Sequence, residues 1–100
     1  MDATELRLDG SNLTSLDSAT FLGRGRLQKL YLSRCKVSAI QNQTFAILGE
    51  LRVLDLSQND LKQLRGDEFF GLAVLRELNL QNNQVKPISV QLLIHSGNVA

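Results

Sequence analysis

The stretch LRVLDLSQNDL, residues 51–61, places leucines at 51, 54, 56 and 61. Steps of three, two and five match neither a helix of period 3.6 nor a simple alternating strand. The pattern becomes regular only over 24 residues: Leu27, Leu30, Leu32, Cys35, Val37, Ile40, Phe45 and Leu48 recur as Leu51, Leu54, Leu56, Asn59, Leu61, Leu64, Phe69 and Leu72. The same register runs backwards through Ala3, Leu6, Leu8, Ser11, Leu13, Leu16 and Phe21. Forwards it reaches Leu75, Leu78, Leu80, Asn83, Val85, Ile88 and Leu93. This predicts repeats over 1–88, in units of about 3–26, 27–50, 51–74 and 75–98, with 89–100 as a divergent tail.

The order L-x-x-L-x-L-x-x-N-x-L at a fixed period in the twenties resembles the leucine-rich repeat solenoid. The expected fold class is therefore an α/β solenoid of four 24-residue repeats. A short parallel sheet would form its concave face, with a mostly irregular or 3-10 convex side. The alternation V-L-D-L-S is the strand, with Leu54 and Leu56 turned inward and Val53, Asp55 and Ser57 outward. The position of Ser11, Cys35, Asn59 and Asn83 follows the strand as a structural ladder, where an amide can satisfy backbone groups at the turn. No unit can bury its apolar groups alone, so neighbours must stack.

Composition bounds the function. One hundred residues with 43% hydrophobic content make one modest core, and eleven basic against ten acidic residues leave a net charge of +1. With no basic run, nucleic acid is not an expected partner. The longest nearly apolar run, Phe69 to Leu75, is far shorter than the ~20 residues a membrane span requires, so this segment is expected not to insert directly. No secretion signal begins at Met1.

The phenylalanines Phe21, Phe45 and Phe69 in each unit's back half resemble the typical class of leucine-rich repeats found in extracellular receptors. The runs MDATELRLDGSNL, FLGRGRLQKLYL, NQTF, GDEFFGL and LRELNLQNNQV resemble the Toll receptor family of invertebrates. That resemblance implies an ectodomain block near the membrane between cysteine-rich caps, both absent here. It also implies a cell-surface receptor of innate immunity or development, and protein partners such as secreted cystine-knot ligands or other receptors.

Asn12-Leu13-Thr14 and Asn42-Gln43-Thr44 are N-glycosylation sequons, expected on turns outside the strands. Sugar on neither in a secreting host would favour an intracellular repeat adaptor instead. The lone Cys35 reads as a buried structural thiol. With one cysteine and one histidine, His95, the chain offers no ligand set for a metal and no histidine-dependent nucleophile. Asp67-Glu68 reads as a solvated charge pair, and neither a cofactor nor catalysis is expected.

The concave rows read Glu5, Lys29, Val53, Glu77; Arg7, Tyr31, Asp55, Asn79; and Asp9, Ser33, Ser57, Gln81. Glu5 opposite Lys29, and Arg7 reaching past Tyr31 toward Asp55, are expected to satisfy one another. Tyr31 beside Val53, rimmed by charge, is the candidate protein contact. Such a face measures roughly 300 Å², against ~800 Å² per partner for a standard interface, so it would supply part of a binding surface or act as a spacer. Two expectations concern the ends. Ser89 could cap a short helix ended by Gly97, a makeshift cover. At the open first repeat, Leu6, Leu8, Leu13, Leu16 and Phe21 would lack a neighbour and drive self-association.

Overall fold

The computed structural model describes residues 4–41, 43–62, 64 and 68–84. Its frame is a four-stranded parallel sheet of β1 (Glu5–Arg7), β3 (Lys29–Tyr31), β5 (Val53–Asp55) and β6 (Glu77–Asn79), in that order. Glu5 pairs with Lys29, Lys29 with Val53 and Val53 with Glu77, so each step is 24 residues without slip. Three residues suffice for each strand because the central leucine faces the core: Leu30 and Leu54 are fully buried and Leu78 nearly so.

A second sheet, which the leucine spacing does not announce, pairs β2 (Ser15–Leu16) with β4 (Ala39–Ile40) in parallel. Among the described residues there is no helix, in keeping with the expected irregular or 3-10 convex side. The return path is a chain of tight turns. Backbone N–H groups donate to the third carbonyl back, as in Ala46 to Gln43, Leu48 to Phe45 and Leu51 to Leu48. Each unit thus gets a turn of 3-10 type that is never propagated. The expected tail helix lies outside the described residues.

Between the sheets and the turns lies one core, drawn from Leu16, Phe21, Leu27, Leu30 and their counterparts one and two units on. Phe21, Phe45 and Phe69 stack in a column, with ring centroids 5.7 and 5.9 Å apart and interplanar angles of 25° and 6°. Leu16 and Phe21 are therefore fully buried and cannot form part of an exposed end, while Leu6, Leu8 and Leu13 are only half-buried. Glu68 is also buried, contrary to its reading as a solvated charge. It occupies the register position of Thr44, which is buried as well, just ahead of the phenylalanine column.

The turn after each front strand requires a left-handed residue. Gly10, Arg34, Gln58 and Asn82, spaced 24 apart, have φ of 81°, 54°, 56° and 62°. A second left-handed glycine has a different reason. Gly71, at φ 96°, lies so close to the preceding unit that an added Cβ would sit 2.6 Å from Ala46 Cα and 3.0 Å from its carbonyl oxygen. Gly71→Ala is expected to cost about 2–4 kcal/mol, from backbone strain plus a clash with main chain. Gly10→Ala, where nothing lies within 4 Å of the new Cβ, should cost only about 1 kcal/mol from strain alone. Urea denaturation of the two variants separates these causes, and equal losses would refute the close-approach argument.

Candidate functional site

The front face is set by the strand alternation, which turns Lys29, Tyr31, Val53, Asp55, Glu77 and Asn79 to the same side. These six line a shallow depression of about 220 Å³ over β3, β5 and β6. Tyr31 and Val53 are brought together there, both half-buried rather than exposed. Lys29, Asp55, Glu77 and Asn79 complete the walls, and the register rows carry the signal for them.

Arg7 does not reach Asp55. Its guanidinium lies 4.0 Å from the centre of the Tyr31 ring and pairs with Glu5 at 3.0 Å and, more loosely, Asp9 at 3.9 Å. Glu5 therefore pairs along its own strand rather than across to Lys29. The cation clamps one side of the tyrosine, a contact worth about 0.5–1 kcal/mol where solvent is near. Asp55 Oδ1 instead accepts the N–H of Ser57 at 2.9 Å, and Asn79 Oδ1 accepts that of Gln81 at 3.0 Å. Asp9 Oδ1 accepts from both the N–H and the hydroxyl of Ser33, at 2.8 and 2.9 Å. Ser57 itself is buried and not an outward display residue.

Behind the strands, Asn59 Oδ1 accepts the N–H groups of Cys35 and Val37 at 2.9 and 3.0 Å. Its Nδ2 donates to the carbonyls of Leu32, Leu56 and Ser57. Asn83 repeats the pattern one unit on, accepting from Leu61 and donating to Leu56 and Leu80. Cys35 replaces the amide with its thiol, Sγ donating to the Leu8 carbonyl at 3.0 Å. Burial pushes the Cys35 thiol above its usual range, so it stays protonated and unreactive near neutrality. Ser11, half-buried, donates only its backbone N–H to Leu8.

Of the two sequons, Asn12 is exposed, and Asn42 lies outside the described residues. The Thr44 hydroxyl is buried within reach of the Leu16 and Gln41 carbonyls, at 3.1 and 2.7 Å.

A family model described as leucine rich repeat matches residues 25–85, more than half the chain. The chain belongs to the leucine-rich repeat family. No curated protein sequence matches it. Among solved structures, this leucine-rich repeat chain is similar to the crystal structure of a TLR13–ssRNA13 complex, with 33% identity and a TM-score of 0.78. The match covers 82% of this chain but 12% of that one, so the repeats here span a small part of the receptor's length. The similarity supports a leucine-rich repeat segment of Toll-like receptor character.

Proposed function

We propose that this chain is a noncatalytic protein-interaction segment from the ectodomain of a Toll-like cell-surface receptor, and that it contacts protein through Tyr31 and Val53. The observation that carries this reading is the front depression, where a half-buried tyrosine and valine meet between charged walls. Interfaces draw most of their energy from such anchors. The similar solved structure is a complex with ssRNA13, but the front face here favours a protein. Glu5, Asp9, Asp55 and Glu77 are four carboxylates against two cations, Arg7 and Lys29. That balance repels a phosphate backbone. The exposed Asn12 would carry sugar outside the strands, and the sequon at Asn42 offers a second acceptor.

A secreted ectodomain carrying Tyr31→Ala and Val53→Ala is expected to lose about ten-fold or more in partner affinity, the size of one interfacial anchor. Its thermal unfolding should change little. The small front area favours a second reading, a spacer between ligand-binding repeats and the membrane. Unchanged affinity in that double variant would select the spacer.

A further inference from the structure

Each unit returns from the phenylalanine column to its front strand along one flank, through segments 22–28, 46–52 and 70–76. All four exposed large hydrophobics among the described residues fall on these segments. They are Leu22 at 69%, Ile47 at 42%, Phe70 at 62% and Val74 at 46% exposure. The segments lie side by side. An added Cβ on Gly25 would meet the Ile47 side chain at 3.9 Å, and Gly71, next to Phe70, abuts Ala46, next to Ile47. The N–H of Arg76 donates to the Arg52 carbonyl at 2.8 Å, which brings those two arginines to adjacent positions.

Charge on this flank is one-sided. Arg24, Arg26, Arg52 and Arg76 stand against the single carboxylate Glu50, whereas the front face carries four carboxylates and two cations. Arg24, Arg52 and Arg76 are exposed and pair with no described carboxylate. None of these residues is needed by the core, which is filled by the leucines and phenylalanines between them. Exposed apolar side chains on adjacent segments, rimmed by charge of one sign, mark contact surfaces, and aromatic and arginine side chains are the commonest anchors.

We propose that this flank is a second interaction surface, separate from the front face, and that it takes a protein segment in which acidic residues alternate with aliphatic or aromatic ones. The partner's carboxylates meet the arginines, and its apolar groups cover Leu22, Ile47 and Phe70. A segment of purely polar acids would leave the apolar groups wet, and a basic one would meet the arginines with like charge.

The test uses the whole chain and a synthetic peptide alternating aspartate with leucine and phenylalanine, with binding read by fluorescence anisotropy. Controls are the same peptide with serine for its apolar residues, the same with lysine for aspartate, single-stranded RNA, and phosphatidylserine vesicles. The alternating peptide is expected to bind about ten-fold or more tightly than either peptide control. Leu22→Ser, Phe70→Ser and the pair Arg52→Glu with Arg76→Glu should each reverse that advantage, with unfolding temperatures near wild type. Tyr31→Ala with Val53→Ala should leave it intact, so the flank stands or falls independently of the front face. Equal binding of the lysine peptide would overturn the proposal. So would tighter binding of RNA or vesicles that survives Leu22→Ser and Phe70→Ser, which would assign the flank to a polyanion.

Discussion

Phe45→Ala will lower the stability of this chain by about 4–5 kcal/mol, the upper part of the range for a buried phenylalanine. Phe45 is the middle ring of the column. It is fully buried and contacts Phe21 on one side and Phe69 on the other. Truncation removes two ring pairs, each worth about 0.5–1.5 kcal/mol beyond area burial. It also opens a void where stacked units cannot collapse sideways, because their strands are hydrogen-bonded at fixed spacing. Domains hold only about 5–15 kcal/mol in total, so the variant should be substantially unfolded at physiological temperature. Phe45→Leu, which keeps most of the volume, should cost about 1–2 kcal/mol. Urea denaturation followed by circular dichroism measures both, and a loss below about 1.5 kcal/mol for the alanine variant would mean that the column is not what holds the units together.

Asn59→Leu should be nearly as damaging, at about 3–5 kcal/mol, and its cause is different. The amide serves five backbone groups, but they do not all depend on it. The Leu56 carbonyl also accepts from Asn83, and the Ser57 carbonyl from the Arg34 N–H. The N–H groups of Cys35 and Val37 and the Leu32 carbonyl would be left buried without a partner, and each orphaned group costs about 1–3 kcal/mol. Cys35→Ser is the contrast, since a hydroxyl can replace the thiol's bond to Leu8. A change under about 1 kcal/mol is expected there. Asn59→Asp should show a pH signature: one carboxylate oxygen keeps the N–H groups of Cys35 and Val37, but burial and the three carbonyl oxygens facing the other raise its folded pKa above the unfolded value. Its stability relative to wild type should then be best at acid pH and fall as pH rises through the folded pKa. Matching denaturation midpoints for wild type and Asn59→Leu would refute the satisfaction argument.

The sequence was legible where side-chain chemistry repeats and silent where backbone or rotamer decides. Leu54, Leu56, Asn59 and Phe45 recur in kind, so the front sheet and the core column could be read from spacing alone. The pair β2 and β4 could not, because two residues per strand carry no alternation. Nor could the left-handed column, since Arg34 and Gln58 are ordinary side chains and only Gly10 and Asn82 hint at positive φ. At the front face, Tyr31 and Val53 were visible as neighbours in a register row. The choice of Arg7 to lie over Tyr31 rather than reach Asp55 depended on a rotamer that composition does not encode. The basic, apolar return flank was hidden for another reason: its residues are scattered in sequence and meet only when the units are laid side by side.

The unslipped step of 24 residues also bears on how the chain reaches this structure. Hydrogen bonds between units join residues 22 to 28 positions apart. Closing a loop of that length has a fixed entropic cost, and each added unit meets the same cost rather than a larger one. Average contact separation therefore stays constant while length grows, so the relative contact order of such a chain falls with every unit added. Assembly can start at whichever junction forms first and spread outward as a zipper. A whole unit inserted or removed at any phase of the repeat preserves the register of every other junction, so chains built this way can vary in length by gene duplication without a new topology.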